Sequence, residues 1–209
     1  MEDVLDLYEE PKNPQQPVIC FDESPYQLLK DKFEPLPASV KHARRIDYKY
    51  ERKGVCNIFM IFQPLEGWRE VKISDRRTKI DFAACMKELV DIHFPKAEKI
   101  RLVLDNLNTH TLGALYEAYE PEEARRIARK LEFHYTPKHG SWLNMAEIEI
   151  SALIRACLKR RMHSTEFLKQ EIKAYIKARN KVHTIVHWEF FSKDARIKMT
   201  KLYNKNLCG

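Results

Sequence analysis

The sequence predicts a mixed α/β sheet covered by helices. Two uninterrupted apolar runs, "VICF" and "RLVL", have the length and composition of strands buried on both faces. Between them lie segments rich in β-branched and aromatic residues, separated by short turn signals, the pattern of an antiparallel meander. Beyond them, helix-period and strand-period segments alternate, which sets helices against the sheet.

"PVICF" (17–21) is predicted as a strand that ends in a turn at "DESP". "RIDYKYER" (45–52), "VCNIFMIFQP" (55–64) and "WREVKIS" (68–74) form the meander, divided at "KG" and "PLEG". "TKIDFAACMKELVDIHF" (78–94) has apolar residues at helical spacing, a Thr start and a stop at Pro95. "KIRLVLDN" (99–106) is the second buried strand. "TLGALYEAY" and "PEEARRIARKL" make a helix interrupted at Pro121, which suits a first-turn position. "LEFHYTP" (131–137) alternates as a strand; helices over about 142–161 and 165–181 and a polar tail complete the order.

At 209 residues and 44% apolar the chain can bury a single core. It has no run of eighteen apolar residues, so no membrane span is expected, and its acidic start, "MEDVLDLYEE", does not read as a signal peptide. Five scattered cysteines read as reduced core thiols, and none has zinc-finger spacing. His183 and His187 have the spacing of a helical metal pair but no Cys or acid nearby in sequence. With five glycines and no Gly-rich motif, a phosphate-cradling loop is not expected. The net charge of +7 divides into +10 from Ser151 onward and −3 before it. A basic C-terminal region on a mildly acidic body suggests a polyanion-facing surface beside a site that needs carboxylates.

Asp22 and Asp105 directly follow the two buried runs, so neighbouring strands would bring them to one edge of the sheet. Alternatively, Asp22 opens a turn and Asp105 and Asn106 cap the next helix. On a helix from Leu143 to Arg161, Glu147 falls inside the stripe of Leu143, Ala146, Ile150, Leu153, Ile154, Cys157 and Leu158. Glu149 falls toward the side and reads as partly solvated. An acid on an apolar face needs compensation, which a divalent cation shared with other carboxylates supplies. Asp22, Asp105 and Glu147 therefore form a candidate oxygen-ligand set for two Mg²⁺ or Mn²⁺ ions acting in phosphoryl displacement.

"VICFDES", "LVLDNLNTH" and "YTPKHGSWLNMAEIE" resemble the three catalytic blocks of DDE-type insertion-sequence transposases of the mariner superfamily. Carried over by position, the family's metal-binding acids fall on Asp22, Asp105 and Glu147, with 41 residues between the last two. The resemblance implies an RNase H-like fold, with a mixed five-stranded sheet flanked by helices. The first acid would lie on the leading strand, the second after the fourth strand and the third on a late helix. It implies DNA cleavage and strand transfer at transposon ends, insertion at TA dinucleotides, a homodimer on double-stranded DNA, and a bacterial cytoplasmic, nucleoid-associated location. Family members also carry an N-terminal helix-turn-helix region, whereas 21 residues precede Asp22 here. The expectation is a short helix and linker (1–16), a DDE catalytic domain (17–182) and a tail (183–209), with any helix-turn-helix in a separate polypeptide or upstream frame. A non-catalytic DNA-binding remnant and an RNase H-like nuclease of another role are the alternatives.

His110 belongs to the second block of the resemblance and could orient Asp105 or meet a phosphate. Asn106 and Asn144 are candidates to support the acids or to cap helices. Lys138 and His139, in the loop before the third block, are candidate phosphate contacts. Lys159, Arg160 and Arg161, with Lys169, Lys173 and Lys177 on one side of the next helix, form a candidate DNA-binding stripe. Glu23 is expected on the opposite side of the strand from Asp22, in a structural role.

Overall fold

Alternation along the first strand decides the layers. In β1 (Val18–Asp31), Val18 and Cys20 enter one buried cluster while Ile19 and Phe21 enter another, so the strand separates two cores. The structure, a computed structural model, describes residues 1–43, 45 and 47–200. β1 pairs antiparallel with β2 (Tyr50–Gln63), which pairs antiparallel with β3 (Trp68–Ser74). On its other side β1 runs parallel to β4 (Ile100–Leu104), which runs parallel to β5 (Leu131–Tyr135). The sheet is mixed and five-stranded, as the resemblance implied, and its order is β3-β2-β1-β4-β5.

Two strands are longer than their turn signals predict. β1 continues through "DESP" as a strand rather than turning. Its pairing with β4 ends at Cys20/Val103, so Pro25 lies where one side of β1 is open and a missing N–H is tolerated. β2 absorbs "KG": Gln27 pairs with Val55 but Leu29 with Arg52, so β2 carries an extra residue there. Gly54, with φ +102°, supplies the backbone conformation that this bulge needs. The predicted boundary between strands is therefore a bulge within one strand.

α1 (Glu2–Glu9) sends Val4, Leu5 and Leu7 into the first cluster, beside α5 (Met145–Ala156) and α6 (Thr165–Val182). α7 (Ser192–Lys198) lies in the predicted tail and meets α1, with the Ser192 hydroxyl 2.6 Å from the Asp6 carboxylate. The second cluster is covered by α2 (Lys79–Glu88), α3 (Gly113–Ala118) and α4 (Pro121–Lys130). Thr78 and Asp81 cap α2 reciprocally, and a π-helical turn, Leu89–His93, finishes it before Pro95. The helix predicted over 142–161 is shorter, since Ser141–Leu143 form a 3-10 turn and α5 ends at Ala156. His183 closes α6 in the left-handed conformation, so His183 and His187 do not share a helix. Cys20, Cys56 and Cys85 are buried free thiols and Cys157 is half-buried; Cys208 lies outside the described residues. No described helix is long and apolar enough to cross a membrane.

Candidate active site

The sheet register brings the first two acids level. Val18, Ile19 and Cys20 pair with Arg101, Leu102 and Val103, and extending that register sets Asp105 beside Asp22. Asp22 lies within β1, where the strand loses its neighbour, and Asp105 is the residue after β4. The parity of β1 points Asp22 to the face covered by α5 and α6 and Glu23 to the opposite face.

Asn144 ties the helix that carries Glu147 to the strand that carries Asp22. The Asn144 side chain caps α5 by accepting from the Ala146 N–H at 3.1 Å and donates to the Phe21 carbonyl at 2.7 Å. One buried amide thus fastens the start of α5 to β1 one residue before Asp22, and Glu147 occupies the first turn of the helix. Asn144 does not bond a carboxylate oxygen; it holds the backbones that carry two of them.

The electrostatics tie the three acids together. Burial, with the charges of Asp105 and Glu147, pushes the Asp22 carboxyl up to about 7, against the opposing effects of the Glu23 N–H, 2.8 Å away, and of His110. All the donors are carboxylate oxygens, which suit a hard dication, and burial beside two other acids favours the protonated form of Asp22. Among the described residues, no three His, Cys, Asp or Glu side chains form a ready-made metal cluster.

His110 is fully buried, with its ring against those of Phe21 and Phe82 at 5.4 and 4.9 Å between centroids. Its Nδ1 lies 2.5 Å from Asp105 Oδ1 and its Nε2 3.4 Å from Glu23 Oε2. Burial alone would lower its pKa, but the two carboxylates outweigh that effect and raise it to about 9. The Glu23 contact is an ion pair without hydrogen-bond geometry, since Nε2 has no hydrogen-bond acceptor among the described residues. Glu23 is itself buried and pairs with Arg77 at 3.2 Å. The sequence reading gave Glu23 only a structural part; strand alternation was the signal that it faces the His110 side.

The remaining candidates separate clearly. Asn106 is exposed and caps nothing, because α3 begins only at Gly113. Lys138 and His139 are exposed in the loop before α5. Arg160 pairs with Glu171. Arg161 bonds Asp31 at 2.5 Å and the Lys49 carbonyl at 3.1 Å, so both arginines are engaged within the fold. Lys159 is exposed; Lys169, Lys173 and Lys177 are exposed along a groove of about 550 Å³ between α6 and β3.

Glu149 corrects the sequence reading. It is 2% exposed rather than partly solvated, and it meets Arg69 and Arg179. Glu147 is half-buried, Ile154 is exposed, and Leu143 belongs to the preceding turn, so the buried face of α5 centres on Ala146, Glu149, Ile150 and Leu153.

A family model described as "DDE superfamily endonuclease" matches residues 17–169, and the chain belongs to that superfamily. Among solved structures, its RNase H-like fold is similar to that of the Mos1 mariner paired-end complex with Mn, at 13% identity and a TM-score of 0.57 over 87% of this chain and 54% of that one. The Mos1 strand transfer complex matches at 12% identity and 0.58, over 88% and 56% of the two chains. The Mos1 paired-end complex with left transposon end matches at 14% and 0.54, over 85% and 54%. The chain spans about half the length of these solved chains. No curated protein matches the sequence.

Proposed function

We propose that this chain is the catalytic domain of a mariner-type transposase, which cleaves DNA at transposon ends and joins the freed ends to target DNA. The observation that supports this reading is the parallel register of β1 and β4, which continued past Cys20/Val103 would bring Asp22 level with Asp105, with Asn144 fastening the Glu147 helix to the same strand. Asp22, Asp105 and Glu147 would hold two Mg²⁺ or Mn²⁺ ions. When bound, such ions neutralise phosphate oxygens and lower the pKa of an attacking hydroxyl.

The chain's own residues prepare that site. His110, cationic between Asp105 and Glu23, fixes the Asp105 carboxylate in one orientation. Asp22 would hold a metal ion as the anion, its proton passing to solvent. Glu147, in the first turn of α5, gains from the positive end of the helix as an anion. Water is the nucleophile in cleavage and a DNA 3′-hydroxyl is the nucleophile in joining. The exposed lysines of α6, Lys169, Lys173 and Lys177, would add salt-sensitive affinity for double-stranded DNA, on which the chain would act as a dimer.

A nicking and joining assay on transposon-end DNA with Mg²⁺ tests the reading, with Asp105→Asn as the comparison. Product from the wild-type chain alone supports it. Equal product from both chains rejects metal-dependent catalysis by this site, and hydrolysis without joining indicates a nuclease of another role.

A further inference from the structure

Glu149 sits two residues past Glu147, about 200° around the helix, so the two acids leave α5 on opposite flanks. Its carboxylate meets Arg69 Nε at 2.9 Å and Arg179 Nη2 at 3.0 Å. Arg69 is fully buried and rigidly seated: its guanidinium donates to the Gly67 carbonyl at 2.8 Å and the Thr184 carbonyl at 2.9 Å and lies over the Phe62 ring. Asn180 bonds both the N–H and the carbonyl of Arg69, at 2.9 and 2.8 Å. Gly67 lets the backbones approach closely, since a Cβ there would lie 2.6 Å from the Thr184 carbonyl oxygen.

A guanidinium and a carboxylate are costly to bury, and an apolar pair of the same volume often stabilises a fold as well. What the charged cluster adds is direction. Apolar packing tolerates a small rotation of α5; a carboxylate gripped from two sides does not. Asn144 fixes the start of the helix to β1, and the Glu149 cluster fixes its rotation from the β3 and α6 side.

We propose that Glu149, held by Arg69 and Arg179, is a positioning residue that sets the rotation of α5 and so aims Glu147 at the Asp22–Asp105 edge. This inference rests on the reading of Glu147 as a metal ligand. The test is Mn²⁺ binding by the whole chain, followed through the electron paramagnetic resonance signal of free Mn²⁺. Glu149→Gln is compared with Leu153→Val, which trims a buried α5 side chain but leaves the ionic cluster intact. Glu149→Gln is expected to weaken Mn²⁺ binding about 10-fold or more, the usual effect of losing an orienting partner, while Leu153→Val binds as wild type does. If Glu149→Gln fails to fold, the paired change Arg69→Met with Glu149→Leu takes its place, with the same loss expected. Unchanged Mn²⁺ binding in the Glu149 variants overturns the inference, and so does equal weakening in Leu153→Val. A wild-type chain that binds no Mn²⁺ removes the metal site itself, and the positioning role falls with it.

Discussion

The side-chain amide of Asn144 and the carbonyl of Phe21 lie 2.7 Å apart across 123 residues of sequence, joining the helix that carries Glu147 to the strand that carries Asp22. β1 has no β4 partner at this level, so the buried carbonyl depends on Asn144. Asn144→Ser keeps a capping oxygen but loses the clamp, and it should cost about 1–3 kcal/mol for the unsatisfied carbonyl. Asn144→Ala also loses the cap and should cost about 1 kcal/mol more. Urea denaturation of the two variants separates these contributions, and nicking activity should fall in both.

Without divalent metal, stability should fall as pH rises. The folded-state pKa of Asp22, raised from 3.8 to about 7, means the folded chain binds that proton more tightly than the unfolded chain does. Its stabilising effect is complete below pH 3.8 and is lost as pH passes 7. His110 acts in the same direction: its contribution is complete below pH 6.5 and is lost through about 9. Melting temperatures in EDTA should decline from pH 4 to pH 9, with Asp22→Asn flattening the lower part and His110→Gln the upper part.

Mg²⁺ or Mn²⁺ should reverse that decline above pH 7, where Asp22 is ionised. At about a hundredfold excess over Kd the gain is about 2.7 kcal/mol. It should disappear well below pH 7 and be absent from Asp22→Asn at every pH, as read by the melting temperature with and without metal.

Lys169, Lys173 and Lys177 should contribute to DNA affinity without sequence preference. Replacing all three with Ala should reduce the slope of log K against log salt by roughly 3, at about 0.9 for each phosphate left without its lysine. Arg161→Ala should act differently, because Arg161 is tied to Asp31 and the Lys49 carbonyl. It should cost about 0–1 kcal/mol of stability and leave the salt slope nearly unchanged.

The sheet was legible because its strands announce themselves locally: "VICF" and "RLVL" are too apolar for anything but a buried position, and each is followed by an acid. Strand ends were not legible, because Pro25 and Gly54 are turn signals in isolation and become tolerable only beside an open strand and in a bulge. The choice between Glu147 and Glu149 exposed a second limit. The centre of an apolar stripe depends on which residues are counted in it, and Leu143 lies in the turn before α5 while Ile154 is exposed, so both drew the predicted centre toward Glu147. The partners that pull Glu149 inward, Arg69 and Arg179, lie 80 and 30 residues away, beyond the reach of any local pattern. His110 could be marked by its motif, but its second carboxylate, Glu23, becomes visible only when β1 is folded against the aromatic cluster.

Asp22 and Glu23 stand in tandem, one for each side of the sheet, so the position of β1 along β2 has a chemical meaning. Sliding the strand by a single residue would put Glu23 in the place of Asp22 and Ser24 in that of Glu23, or Phe21 and Asp22 in those two places, so one face would lose its carboxylate. The bulge at Gly54 opposes such sliding. Length changes should therefore be harmless in the 32–49 connection and ruinous between Cys20 and Gln27, even where every side chain that touches the acids is kept.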